Sequence, residues 1–178
     1  MDSLGSVINS LKNGEVIAYP TEGVWGLGCD PSNEEAISRL LKIKGRSAGK
    51  GLILIGSSLK QFSQFIEVEK YKDKLLEKWP GHHTWLVPTK PKTSKLIIGN
   101  NEKIALRLSS HKPVIELCEE FRGAIISSSA NKENAPILES PEEIKGIFPD
   151  IKVLKGKLGG LNQPSKIQDL LTGKVIRG

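Results

Sequence analysis

Apolar residues recur at helical spacing near the start of the chain, where Leu4, Val7, Ile8 and Leu11 form one stripe closed by Gly14. Val16 to Tyr19 then runs apolar without a break and reads as a short strand. Pro20-Thr21-Glu22-Gly23 interrupts it, and Val24 to Cys29 resumes an extended segment whose glycines permit close backbone approach. Ser32 and Glu35 have capping-box spacing ahead of Ala36, Ile37, Leu40, Leu41 and Ile43, which predicts a second helix ending at Gly45. Leu52 to Ile55 is all apolar and reads as a buried strand. Leu59, Phe62 and Phe65 suggest another short helix; Tyr71, Leu75, Leu76 and Trp79 suggest one more, stopped by Pro80-Gly81.

Thr84 to Pro88 and Ile104 to Leu108 follow as strands, joined by a polar, lysine-rich connection that reads as a surface loop. A helix over Pro113 to Phe121 leads into the strand Ala124 to Ile126, with Ser127 to Asn131 at its end. Ser140-Pro141-Glu142-Glu143 combines an N-cap serine, a proline at the first helical position and a capping glutamate, so a last helix starts there. Val153-Leu154 and Ile167 to Ile176 finish the sheet, and the glycine-rich stretch Lys155 to Pro164 is too short for an interdomain linker. This alternation predicts an α/β fold: a single domain over residues 1–178 with a twisted mixed sheet and flanking helices.

Composition fits that picture, because 38% hydrophobic and 26% charged residues belong to a folded globular chain. No segment has the length or pattern of a signal peptide or a membrane span, so no membrane partner is expected. Cys29 and Cys118 stand far apart without metal or redox spacing, which fits a reducing, cytoplasmic compartment. The net charge of +6 favours a polyanionic partner such as a nucleotide or RNA. That charge is local: Arg39, Lys42, Lys44, Arg46, Lys50 and Lys60 lie in a stretch with no acidic residue.

Three features carry candidate chemistry. Lys44-Gly45-Arg46, with Lys50 just beyond, offers an arginine fork and lysine point charges to phosphate oxygens, or else complements the negative end of the preceding helix. Ser127 to Asn131 presents hydroxyls and an amide that suit phosphate or ribose, or forms a serine-rich turn. Pro20-Thr21-Glu22 brings a hydroxyl and a carboxylate off one strand, fit for a cation or a substrate ammonium, or for a capped turn. His82 and His83 diverge as neighbours in an extended segment and have no clustered carboxylates or cysteines to complete a metal set. A nucleophile elbow, a Walker loop and a dinucleotide fingerprint are all missing.

Six blocks in order, AYPTEGVWGLGCDP (Ala18 to Pro31), KIKGRSAGKGLILI (Lys42 to Ile55), WPGHHTWLVP (Trp79 to Pro88), IALRL (Ile104 to Leu108), ISSSAN (Ile126 to Asn131) and NQPSKIQDLLTG (Asn162 to Gly173), closely resemble the YrdC/TsaC family. The resemblance implies a twisted α/β sheet around a basic concave pocket. It also implies a synthase that joins ATP, bicarbonate and L-threonine into threonylcarbamoyl-adenylate and pyrophosphate, with Mg²⁺ accompanying ATP and no metal site of the protein's own. The product would feed tRNA modification through other proteins of the threonylcarbamoylation pathway, with direct tRNA or RNA contact left open.

Carried over position by position, Lys44 and Arg46 match the family's K-x-R, and Ser129 and Asn131 its S-x-N; these are expected to contact ATP phosphates and adenylate. Thr21 matches the P-T-E threonine, expected to help hold substrate threonine. Thr84 and Arg107 match pocket-lining positions, and Ser127 and Ser165 fall on further polar ones, while Lys50 joins the basic cluster. Ser47 stands where the family often has proline, and Gly81-His82 where it often has Gly-Pro. Lys50-Gly51-Leu52 looks like the short bacterial branch, without an extra C-terminal domain, so closure of the pocket is expected from a loop or a partner. Two rivals remain: an RNA-binding module of the same fold, against which the scarcity of aromatic stacking platforms counts, and a paralogue acting on another carbamoyl or adenylate substrate.

Overall fold

A computed structural model describes residues 1–178 and arranges them around one nine-stranded sheet. In chain order its elements are α1 (Leu4–Lys12), β1 (Ile17–Pro20), β2 (Trp25–Gly28), α2 (Glu34–Lys44), β3 (Ile53–Gly56), α3 (Val68–Leu76), β4 (His83–Pro88), α4 (Lys95–Ile98), β5 (Lys103–Leu108), α5 (Lys112–Phe121), β6 (Ile125–Ser129), α6 (Pro141–Ile147), β7 (Lys152–Val153), β8 (Lys166–Asp169) and β9 (Val175–Arg177). Single 3-10 turns occupy Ala48–Lys50 and Leu59–Phe62. The strands stand in the order β7-β1-β2-β6-β3-β5-β4-β8-β9, a mixed sheet in which parallel and antiparallel pairs alternate irregularly. No helix is long and apolar enough to cross a membrane.

Period-two alternation divides the strand residues between two cores. Ile17, Tyr19, Ile55 and Ile125 join α1 and α5 on one face. Ala18, Leu54, Leu106 and Ile126 join the larger core with α2 and α6 on the other. The first face is covered only in part. Farther along the same strands the alternation continues through Ile53, Ala105, Arg107, Ser127 and Ser129, which line an open cavity. The polar tail of β6 is thus the uncovered continuation of a buried strand face.

Several local readings shift. The serine run forms the C-terminal half of β6 instead of following it, because Ser128 and Ser129 pair with Leu27 and Gly26 of β2 and Ser127 with Ile53 of β3. Asn33, not Ser32, caps α2: its Oδ1 accepts from the Ala36 amide at 3.0 Å, while Ser32 is held by Asp30. The lysine-rich connection holds α4, where Leu96-Ile97-Ile98 forms a short apolar turn whose two isoleucines are buried. Ser140 caps α6 as its spacing predicts, accepting from the Glu143 amide at 3.2 Å. Gly28 permits the close packing of β2, since a Cβ there would lie 2.5 Å from the Ile126 carbonyl oxygen.

Candidate functional site

The cavity has a volume of about 260 Å³, and its floor is a row across the sheet. Register places Ser127 opposite Ile53, Ile53 opposite Ala105, and Ala105 opposite Leu86, so four strands contribute one residue each. Thr21 from the β1–β2 turn, Ile97 and Ile98 from α4, and Arg177 from the last strand raise its walls. Ser127 and Ala105 are small, and Ile53 and Leu86 give the floor an apolar surface.

Five basic side chains line this space: Arg46, Lys50, Lys103, Arg107 and Arg177. They divide by compensation. Lys50 is bonded to Glu133, Lys103 to Asp169, and Arg107 to Glu22. Arg46 and Arg177 have no carboxylate partner; Arg46 donates to the Gly51 carbonyl at 3.0 Å and Arg177 donates twice to the Ser165 carbonyl at 3.1 and 2.7 Å. Burial, then the charges of Arg107 and Arg46, lower the Arg177 pKa, which records like charges converging on one space. The Arg46 Nε is buried and unpaired. Two guanidinium groups that face one cavity without a carboxylate in ion-pair contact leave positive charge there that suits an anion.

Lys44 stands apart from the cavity. It is the last residue of α2, only 2% exposed, and its Nζ donates to the carbonyl oxygens of Ser129 and Asn131, the latter at 2.7 Å. Burial, aided by Arg46 and opposed by Glu133, pushes its pKa down to about 8. Gly45 follows in the left-handed region at φ 63°, which turns the chain so that Arg46 reaches the cavity while Lys44 goes beneath it. Asn131 also lies off the cavity wall: its Oδ1 accepts from the Ser129 hydroxyl at 2.7 Å and its Nδ2 donates to Ala135. Thr84 is fully buried, hydrogen-bonded at 2.7 Å to the hydroxyl of Ser165, which does line the cavity.

Of the residues expected from sequence, the structure therefore gathers Thr21, Arg46, Lys50, Arg107, Ser127, Ser129 and Ser165 around one space. Lys44, Asn131 and Thr84 stand one layer behind, each bonded to a lining residue or its backbone. Lys103, Asn101, Ile97, Ile98 and Arg177 line the cavity without having been singled out. Arg177 had no motif to announce it; the apolar triplet Leu96-Ile97-Ile98 inside a polar stretch was the available signal for α4.

Glu22 is buried beside Arg107, whose Nη2 donates to Glu22 Oε2 at 2.6 Å. Burial would raise the Glu22 carboxyl, but the Arg107 charge and the Ser109 hydroxyl outweigh it and the pKa is lowered. The glycine-rich segment crosses this turn: the amides of Gly159 and Leu161 both donate at 3.0 Å, to the carbonyls of Thr21 and Glu22 respectively. His82 and His111 each hold a carbonyl of the same segment, Gln163 at 2.9 Å and Lys157 at 2.8 Å. His83 packs edge-on against Trp85 with ring centroids 4.4 Å apart. No group of three or more His, Cys, Asp or Glu is placed to hold a metal ion. Cys29 and Cys118 are free and buried, with burial pushing both thiols up to about 12.

Residues 9–178 match the protein family described as "Telomere recombination", the Sua5/YciO/YrdC group. A threonylcarbamoyl-AMP synthase of Pseudomonas fluorescens is 47% identical over 172 residues, which cover 94% of this chain and 92% of that protein. Among solved structures, P. abyssi Sua5 in complex with L-threonine superposes with a TM-score of 0.85 at 25% identity. That match covers 93% of this chain and 50% of the Sua5 chain, so this chain spans half the length of that longer protein. E. coli YciO shares the fold, with a TM-score of 0.83 at 23% identity over 98% of this chain and 87% of its own. Matched over nearly its whole length, the chain belongs to the Sua5/YciO/YrdC family.

Proposed function

We propose that the chain is a threonylcarbamoyl-AMP synthase, a nucleotidyltransferase that converts ATP, bicarbonate and L-threonine into L-threonylcarbamoyladenylate and pyrophosphate. The observation that carries this reading is the near-complete mutual coverage with a synthase at 47% identity. The geometry supports it independently. Two uncompensated arginines and a wall of serine hydroxyls suit a triphosphate, and the Thr21 and Arg107 end suits a small zwitterion.

The chemistry needs no protein nucleophile. The amine of threonine attacks bicarbonate carbon, forming a C–N bond and releasing water, to give a carbamate. One carbamate oxygen then attacks the α-phosphorus of ATP in line, the bond to the bridging oxygen breaks, and pyrophosphate leaves. Arg46 and Arg177 hold the phosphates and stabilise the charge that grows on them. Lys44 acts through the backbone it clamps, fixing the strand end that carries Ser129. Mg²⁺ would enter on the phosphates, since Glu22, Glu133 and Asp169 are each already held by a basic side chain. When bound there it supplies charge neutralisation on the leaving pyrophosphate. A cytoplasmic setting, and hand-over of the labile adenylate to proteins that modify tRNA, complete the reading.

Pyrophosphate release by purified protein supplied with ATP, Mg²⁺, bicarbonate and L-threonine tests it. Release is expected only with all four present. Release that persists without threonine or bicarbonate would overturn the synthase assignment in favour of simple ATP hydrolysis.

A further inference from the structure

Glu22 and Arg107 form a buried pair that ties together distant parts of the sheet. Glu22 sits in the turn after β1 and Arg107 on β5, which is four places from β1 in the strand order. Four steps at about 4.8 Å set such strands roughly 19 Å apart on a flat sheet, so their contact depends on twist and curl. Both residues are 6% exposed. Glu22 is fixed from every side: Oε2 accepts from Arg107 at 2.6 Å, and Oε1 accepts from the Ser109 hydroxyl at 2.7 Å and the Ser110 amide at 3.3 Å. Its backbone is held from behind by the Leu161 amide at 3.0 Å.

Arg107 is not saturated by this arrangement. A guanidinium has five N–H groups, only Nη2 meets Glu22, and Nε is buried without any partner. The side chain lines the cavity next to Thr21, Ser127 and Ser165. A buried ion pair gains little stability over well-packed apolar residues, and an orphaned donor subtracts from that gain. The pair makes better sense as an orienting device for something that enters the cavity.

Charge then sorts the arginines of the cavity into two kinds. Arg46 and Arg177 keep their full positive charge and attract a polyanion. Arg107, paired with Glu22, offers directional hydrogen bonds with part of its charge offset by the carboxylate, which suits the lone carboxylate of an amino acid better than a polyanion. We infer that Glu22 is a positioning and specificity-determining residue: it aims the free N–H groups of Arg107 at the carboxylate of the amino-acid substrate and weakens the pull of that arginine on phosphate. This rests on the proposed synthase reaction and adds to it a residue that touches no substrate.

The test measures pyrophosphate release by wild-type protein, Glu22→Gln, Arg107→Gln and the double variant, varying threonine and ATP separately and adding inorganic pyrophosphate as inhibitor. Glu22→Gln is expected to raise the KM for threonine about tenfold or more while the KM for ATP stays within about twofold, and to make pyrophosphate compete with threonine at several-fold lower concentration. In the Arg107→Gln background, Glu22→Gln is expected to change nothing further, because its effect runs through that arginine. Equal rises in both KM values, or an unchanged threonine KM in a folded Glu22→Gln protein, would overturn the assignment. If that variant does not fold, Ser109→Ala removes the hydroxyl's bond to Oε1 and the one its oxygen accepts from the His111 amide, leaving the Ser110 amide on Oε1; a rise of about threefold confined to the threonine KM is expected, and no rise overturns the assignment. Wild-type protein with no threonine-dependent release overturns the synthase reading instead. Calorimetric binding of L-threonine then decides the role of Glu22: weaker binding by Glu22→Gln supports it, and equal binding or none by wild type removes it.

Discussion

Charge compensation ranks the basic residues of the cavity, and the ranking can be measured with single substitutions. Arg46 has no carboxylate in ion-pair contact, and its contact with the Gly51 carbonyl occupies one nitrogen and leaves the buried Nε unpaired. Arg46→Ala therefore removes an uncancelled charge and at least one charge-assisted hydrogen bond to phosphate, worth about 1.5–3 kcal/mol. At about 1.4 kcal/mol per decade this is roughly a 10- to 150-fold weaker Kd for ATP. Lys50 lies just beyond the motif in sequence, but its side chain is 53% exposed and already bonded to Glu133. Solvent and the partner carboxylate cancel most of its field, so Lys50→Ala is expected to weaken ATP by less than about fivefold. Arg177→Ala should fall with Arg46→Ala, because its only protein partner is a carbonyl oxygen. Isothermal calorimetry with Mg-ATP at fixed, near-physiological ionic strength reads all three, with circular dichroism to establish folding. A Lys50→Ala protein that loses as much affinity as Arg46→Ala, or a folded Arg46→Ala protein that loses none, would refute ranking by compensation.

Further expectations concern the scaffold behind the cavity. Gly23→Ala places a Cβ 1.9 Å from the Gln163 carbonyl oxygen, so the glycine-rich segment must lift from the Thr21 turn. Faster hydrogen exchange at the Gly159 and Leu161 amides is expected, together with a loss of about 1–3 kcal/mol; unchanged protection would show that the segment is not held there. Thr84→Val keeps the shape of a fully buried side chain but removes its bond to Ser165. It should cost about 1–2 kcal/mol, a fall in Tm of about 2–8 °C, and an unshifted Tm argues against that bond. Acid should destabilise the fold through Glu22 and Asp169. Both have folded pKa values below their ordinary ones of 4.5 and 3.8, Asp169 at about 2, where burial's upward push is outweighed by Lys103 and the amide and hydroxyl of Thr172. The unfolded chain therefore binds more protons in that range, so their stabilisation is complete above about pH 4.5 and drains away as pH falls toward 2. Urea midpoints measured from pH 7 to 3 should stay level and then drop, less steeply in Asp169→Asn; an equal drop in that variant removes Asp169 from the account.

Element positions were legible wherever periodicity and local chemistry agreed. Ser140-Pro141-Glu142-Glu143 opened a helix where its cap, proline and glutamate all pointed the same way. Ser127 to Ser129 were read as lying beyond a strand because propensity places serine in turns; pairing with β2 and β3 overrides that preference, and no local signal reports partners distant in sequence. The same limit hid Arg177. Nothing in a terminal Val-Ile-Arg-Gly marks a ligand, and only the pairing of β9 with β8 brings it to the cavity. The mixed sheet was legible from alternation, but its order depends on long-range contacts that the pattern of one strand does not encode.

The two spaced motifs illustrate why sequence could find the site without resolving its layers. Lys-Gly-Arg reads as one basic patch, yet the left-handed Gly45 divides it: Lys44 ends the helix and runs beneath β6, while Arg46 emerges on the cavity side. Ser-Ala-Asn divides the same way, with Ser129 lining the cavity, Ala130 buried and Asn131 turned back. The inner members meet each other, since the Lys44 ammonium binds the carbonyls of Ser129 and Asn131. The outer members both line the same space. A spacing of two in both motifs thus gives one residue to lock the two segments together and one to present to a ligand. Lysine suits the inner position, because its ammonium can donate to several carbonyls on a long, packable stem. Arginine suits the outer one, where a planar charged fork has no carboxylate bonded to it. Exchanging the two would put a bulky fork under the strand and a less directional charge in the cavity, so the order of the pair is itself a structural requirement.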